Sequence, residues 1–261
     1  MRILFVTQAD PFYVKIFFRE FLRIYASRED IKGIVIQKAL NQDTGTGLMR
    51  KALTLYGPVG FFLKGLEYLG IRALDLPKRL LKAGLNDTVG QLAMKYDIPV
   101  FEGVSVNSDD LRDIVRSRQI DLVVSVAASE VFGTEILGLP PRGCINIHGG
   151  LLPKYRGMLP NFWTLYNSEE YAWVTIHRMA EEIDEGPVLI QDRFRIGEKE
   201  SFESVARRSK EMAALLLVKL LGMYEKDEVS SFRNEDVPSS YYSFPRKEDI
   251  RVFRKRGGRI L

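Results

Sequence analysis

Short apolar runs, each too brief for a helix and set apart by helix-length stretches, constrain this chain most. Residues 2–7 (RILFVT), 34–36 (IVI), 121–126 (DLVVSV) and 144–148 (CINIH) are such runs. Near-continuous apolar runs of this length are typical of strands buried on both faces of a parallel sheet. Between them, residues 12–26 carry helical spacing at Phe12, Ile16, Phe17, Phe21 and Leu22. Helices are also expected over 87–96, with Asn86 or Asp87 as N-cap, over 108–117 after Ser108, and over 132–138. Pro99–Phe101, 171–178 and 187–196 complete the strands. Ser201 opens a long helix ending near Tyr224, with an apolar stripe at Val205, Met212, Leu216 and Leu220. Alternating strands and helices give an α/β fold with an open sheet, mostly parallel in its first half, and helices on both faces.

One stretch does not fit a short crossover. Residues 39–85 hold helix-like pieces near 47–56 and 60–69, broken at Gly57-Pro58 and Gly70, and read as a helical insertion. A single domain over 1–224 with a C-terminal extension over 225–261 is therefore expected. Residues 50–85 carry seven basic and two acidic residues, as does the segment from Arg246 onward. The net charge of +4 thus divides into +5, +5 and −6 for the remainder. These segments are either solvated helix faces and a solubilising tail, or surfaces that attract an anionic substrate or nucleic acid. No run of about 18 apolar residues is present, so no membrane partner is expected. Cys144 is the single cysteine, which excludes an internal disulfide and suits a reducing, cytoplasmic setting. No cleavable leader is visible in MRILFVTQAD.

The turn after the first run, Thr7 to Phe12, contains no glycine, and Asp10 would repel a phosphate. A dinucleotide site at this turn is not expected. The chemistry concentrates elsewhere. Both histidines of the chain, His148 and His177, lie within about forty residues of each other. On the strand 144–148, Cys144, Asn146 and His148 face one way and Ile145 and Ile147 the other. His148 ends the strand and Gly149-Gly150 follows, where ligands gather in open α/β sheets. Acyl transfer to an amine needs a donor for the oxyanion, a group that takes a proton, and a group that orients the latter. Asn146, His148 and Asp184, in a turn-rich loop, supply a carboxamide, an imidazole and a carboxylate. Each also has a plain reading: a hydrogen-bonded strand pair for Asn146 and His148, a turn former for Asp184, a structural role for His177, a core filler for Cys144. Two histidines and a cysteine at these spacings make no metal-ligand pattern.

The run Asn146-Ile-His-Gly-Gly-Leu-Leu-Pro-Lys-Tyr-Arg-Gly157 resembles the signature of folate-dependent formyltransferases. Val174-Thr-Ile-His177 and Ile183-Asp-Glu-Gly-Pro-Val188 resemble two further blocks of that family. The resemblance is strong over about 120–200 and weaker over the rest of the amino-terminal part. It implies a Rossmann-like formyltransferase domain with 10-formyltetrahydrofolate as formyl donor. It places the catalytic set on Asn146, His148 and Asp184. It places the pterin pocket on Ser129, Glu130, Val131 and Phe132, closed by Ala180, Glu181, Glu182 and Ile183. Gly149-Gly150 stands where the family often has Pro-Ser, which is expected to loosen the loop. The turn lacks the glycine cradle of glycinamide ribonucleotide transformylase, and the chain is short for the barrel of methionyl-tRNA formyltransferase. The sugar-nucleotide N-formyltransferases are the nearest analogy. The expected acceptor is a small-molecule amine, such as a nucleotide-linked amino sugar, with nucleic acid disfavoured and a homodimer in view. Lys154 and Arg156 either meet an anionic acceptor or serve the loop. The alternatives are a 10-formyltetrahydrofolate hydrolase and a non-catalytic folate or nucleic-acid binding module.

Overall fold

The computed structural model describes residues 1–10, 12–37, 45–81 and 88–261. In chain order the elements are β1 (Ile3–Gln8), α1 (Val14–Ile24), β2 (Ile31–Gln37), α2 (Gly45–Leu81), α3 (Val89–Lys95), β3 (Val100–Glu102), α4 (Asp109–Ser117), β4 (Leu122–Val126) and α5 (Thr134–Leu137). Then follow β5 (Cys144–His148), β6 (Arg156–Gly157), α6 (Pro160–Tyr166), β7 (Tyr171–Arg178), β8 (Val188–Arg195), α7 (Phe202–Glu225), β9 (Tyr241–Tyr242) and α8 (Lys247–Lys255). Among the described residues the main sheet runs β3-β2-β1-β4-β5-β7-β8. The first five strands are parallel, and β7 and β8 join antiparallel. This is the mostly parallel open sheet that the apolar runs require.

Two cores clothe the sheet. On one face, α1, α3 and α7 cover Ile3, Phe5, Ile145 and Ile147. On the other, α4 and α5 cover Leu4, Val6, Val123 and Cys144. Alternate residues of one strand thus serve opposite cores, as the pleat dictates. Phe5 meets Phe18 and Phe21 of α1 edge-on at 5.4 and 5.2 Å. Each such pair adds about 0.5–1.5 kcal/mol beyond burial. Asp10 accepts the amide hydrogens of Phe12 and Tyr13 at 2.6 and 3.1 Å. These are donors that a phosphate at this turn would use.

Several boundaries differ from the sequence reading. The N-cap of α3 is Thr88, which forms a capping box with Gln91; Asn86 and Asp87 lie outside the described residues. In the insertion, Gly57 breaks the helix at φ 73°, whereas Gly70 lies within continuous helix. Residues 39–44 and 82–85 of that segment lie outside the described residues. Ser108 and Ser201 cap α4 and α7 as expected. Two helices were not anticipated. The first, α6, is short, apolar nearly all round and starts with a proline at its first turn. The second, α8, buries only Ile250 and Phe253. It joins α2 and α6 in a third core with Leu55, Phe162, Trp163 and Phe202.

Candidate active site

The site forms where β5 ends. Cys144 faces the α4/α5 core, so Asn146 and His148 share its side of the strand. Cys144 is buried there, its thiol pushed up to about 12 by desolvation, which makes it inert filler. The antiparallel neighbour β7 sets His177 opposite Asn146 and Thr175 opposite His148. Asp184 comes from the β7–β8 loop at φ 56° and is folded inward, with its side chain 8% exposed.

Asp184 is the hub. Its Oδ1 accepts from Asn146 Nδ2 at 3.3 Å and lies 3.5 Å from His177 Nε2. Its Oδ2 lies 3.5 Å from His148 Nδ1 and accepts the Gly157 amide at 2.9 Å. Burial pushes this carboxyl up. The facing histidines and the Gly157 amide outweigh it and hold the group well below the usual carboxylate range. Asp184 is therefore an anion at neutral pH.

The imidazoles are fixed by their other nitrogens. His148 Nε2 donates to the Tyr155 carbonyl at 2.6 Å, and His177 Nδ1 donates to the Arg178 carbonyl at 2.8 Å. His177 Nε2 lies 3.3 Å from Asn146 Nδ2 and 3.5 Å from Asp184 Oδ1. The carboxamide nitrogen thus makes two long contacts. Desolvation lowers the His148 pKa, and the opposing charge of Asp184 does not fully restore it. A neutral His148 with its hydrogen on Nε2 presents a bare Nδ1 toward Asp184. Protonation there is what the carboxylate would stabilise.

The loops around this hub are tied down. Arg156 donates from Nε to the Ile183 carbonyl at 3.1 Å and pairs with Glu185 at 2.5 Å, gripping the chain on both sides of Asp184. Lys154 pairs with Glu169 at 2.5 Å. Both cations are thus held by carboxylates, the loop-serving alternative of the sequence reading. Gly157, at φ 92°, lies where a Cβ would sit 2.3 Å from the Tyr242 carbonyl. The Gly149-Gly150 loop is not slack: Gly150 is buried, and its carbonyl accepts from Thr175 Oγ1 at 2.6 Å.

Phe132 of the first loop assigned to the pterin, and Met179 just before the second, pack in the α4/α5 core. The Ser129 amide donates to Gln37 Oε1 at 2.9 Å. Glu130 accepts from Ser105 Oγ at 2.5 Å and from the Val106 amide at 3.2 Å. Phe132 is buried within the core, whereas Val131 and Ile183 leave apolar side chains exposed. Ala180, Glu181 and Glu182 are exposed. The sequence reading gave His177 a structural role and a place in the Val174–His177 block; its closeness to Asn146 and Asp184 comes from the pairing of β5 with β7.

The "Formyl transferase" family matches residues 74–221. The chain belongs to the formyl transferase family. Among curated relatives, a methionyl-tRNA formyltransferase of Thermotoga neapolitana is 30% identical over 199 residues, covering 76% of this chain and 64% of that protein. The bifunctional polymyxin resistance protein ArnA of Wigglesworthia glossinidia brevipalpis is 34% identical over 155 residues, covering 59% of this chain and 24% of that protein. The matches to the curated relatives thus span at most about two thirds of their length. In fold, the family member resembles a sugar N-formyltransferase from Shewanella sp. (TM-score 0.57, 19% identity, 93% of this chain and 77% of that one). It also resembles phosphoribosylglycinamide formyltransferase from Anaplasma phagocytophilum (TM-score 0.60, 15% identity, 93% and 98%).

Proposed function

We propose that the chain is an N-formyltransferase that moves a formyl group from 10-formyltetrahydrofolate to the primary amine of a small molecule. The convergence of Asn146, His148 and Asp184 at the carboxyl end of β5 carries this reading. The amine nitrogen attacks the formyl carbon, and an oxyanion develops. Asn146, whose two contacts are long, redirects a hydrogen to that oxygen. The short bond of His148 Nε2 to the Tyr155 carbonyl commits that donor. His148 therefore serves at Nδ1, taking the amine proton, and Asp184 stabilises the imidazolium so formed. The carbon–nitrogen bond to the folate then breaks, and the proton on His148 Nδ1 passes to the departing nitrogen, so that tetrahydrofolate leaves neutral at that atom and His148 is regenerated. His177 positions the Asn146 carboxamide. The loops 129–132 and 180–183 would hold the donor, Val131 and Ile183 against its ring. The unit 1–224 carries the chemistry and 225–261 braces it, and the free, buried thiol of Cys144 suits the cytoplasm.

The acceptor is a nucleotide-linked amino sugar in this reading. The sugar N-formyltransferase fold neighbours support it, as does the pairing of Lys154 and Arg156 with carboxylates, which withdraws them from a nucleic-acid backbone. The curated relatives that act on methionyl-tRNA make that substrate the control. The test is a screen of nucleotide-linked amino sugars, free amines and methionyl-tRNA with 10-formyltetrahydrofolate, following tetrahydrofolate release. Amine-dependent release that Asn146→Ala lowers by about 10²–10³ is expected. Release that is independent of any amine would make the chain a hydrolase instead.

A further inference from the structure

The insertion helix is amphipathic the wrong way round for a helix on a soluble surface. In the part of α2 after the Gly57 kink, Gly60 and Lys64 face inward. Gly60 lies against Leu261. Lys64 buries its ammonium between Glu67 at 2.8 Å and Glu203 at 2.7 Å. The opposite face carries Val59, Phe62, Leu63, Leu66 and Leu69, with Val59 at 74%, Phe62 at 65% and Leu69 at 61% exposure. At 100° per residue these five fall within an arc of about 120°, a continuous apolar stripe directed at solvent. Over Val59–Leu69 the face turned to water is therefore hydrocarbon, which neither sequence reading of the 50–85 segment anticipated.

In the sequence the stripe lies within the 50–85 segment, whose net charge is +5. The second +5 segment folds beside it, because Arg254 of α8 donates to the Leu55 and Tyr56 carbonyls at 3.3 and 3.0 Å. Arg251, Lys255, Arg256 and Arg259 are exposed there. The rest of the chain is acidic by −6. We infer that this face lies on an anionic lipid bilayer, with the α2 stripe in the acyl boundary and the basic flanks at the headgroups. A second copy is the less favourable occupant. A twofold contact sets the same patch against itself and would oppose two strongly basic surfaces. Among the described residues no helix is long and apolar enough to cross a membrane, so the attachment is interfacial.

Co-sedimentation of the full chain with phosphatidylcholine vesicles, with and without phosphatidylglycerol, tests this. Binding to the anionic vesicles, weakened by salt, is expected. Phe62→Asp with Leu66→Asp should reduce the bound fraction at least about ten-fold. The milder pair Leu63→Gln with Leu66→Gln should reduce it in the same direction, with the circular dichroism spectrum unchanged. Absence of binding by the wild-type chain would overturn the inference, as would undiminished binding by folded double variants. A wild-type dimer in light scattering that the double variant turns into a monomer would also overturn it and give the stripe to a second copy.

Discussion

Replacing Asp184 by Asn tests the electrostatics on which the proposed chemistry rests. The substitution keeps the shape of the side chain and an oxygen for the Gly157 amide, and removes the charge. His148 Nδ1 lies 3.5 Å from the carboxylate, and both side chains are buried. At an effective dielectric constant of about 20, a full charge pair at that distance is worth about 4.7 kcal/mol. Losing it should cut the imidazolium population of His148 at a given pH by about three orders of magnitude. The chain has only two histidines, so long-range proton–nitrogen NMR can follow the His148 ring from about pH 9 down to the onset of acid unfolding. His177→Gln supplies the assignment. In the wild type, His148 should titrate below its ordinary value, because desolvation outweighs Asp184. In Asp184→Asn its midpoint should fall further, and transfer should slow in proportion as the developing imidazolium loses its partner. An unchanged or raised midpoint would refute the assignment of Asp184 as the counter-charge to His148.

Three further outcomes follow from the same geometry. Asn146→Ala should lower the turnover number by about 10²–10³ in the tetrahydrofolate-release assay, the range for loss of one oxyanion donor, with its circular dichroism spectrum unchanged. Gly186→Ala would set a Cβ 1.7 Å from the Arg178 carbonyl oxygen, forcing the loop that carries Asp184 outward. Its cost should be at least about 1–3 kcal/mol, or several degrees in Tm by calorimetry, with activity lost as well. Stability should also fall in acid in two stages. His148, lowered in the folded state, contributes stability that is full above its unfolded value of about 6.5 and is lost as pH drops below it. Asp184, depressed in the folded state, contributes stability that is full above about 4 and is lost below. Thermal melts of His148→Gln against wild type should show the upper stage missing.

The strands were legible because burial on both faces leaves only apolar residues, and 144–148 and 171–178 were placed to the residue. Residues whose side chains answer to a neighbour distant in sequence were not legible in this way. Lys64 reads as a solvent-facing charge, yet it is buried because Glu203 waits behind it. The helix α6 hides because its Phe162 and Trp163 pack against α8 and α7, so it shows no polar face. The proposed catalytic set shows the same division. Asn146 and His148 were visible as an odd polar pair on one face of a strand, and Asp184 through its block. The closeness of His177 and of the Gly157 amide to Asp184 arises only when β7 and β6 are placed.

The final segment of the chain braces the loops of the site through several hydrogen bonds, among them Arg233 to the Glu185 carbonyl and Arg156 to the Ser239 hydroxyl, and the Tyr242 side chain tests one of these routes. Tyr242 of β9 pairs with Gly157 of β6, and Gly157 donates to Asp184. Tyr242 is held by stacking on Trp163 at 4.7 Å and on Tyr155 at 5.6 Å, and its hydroxyl accepts from Asn167 at 3.2 Å. Tyr242→Ala removes both stacks and the hydrogen bond, about 2–4 kcal/mol in all. Tyr242→Phe removes only the last, about 1 kcal/mol. If the extension matters merely for stability, both variants should keep full turnover well below their melting temperatures. If β9 fixes the strand that fixes Asp184, Tyr242→Ala should lose turnover while folded, Tyr242→Phe should keep it, and the His148 midpoint should move in the first variant alone. A folded Tyr242→Ala enzyme with wild-type turnover and an unmoved His148 would show that Asp184 is held without help from the Tyr242 side chain.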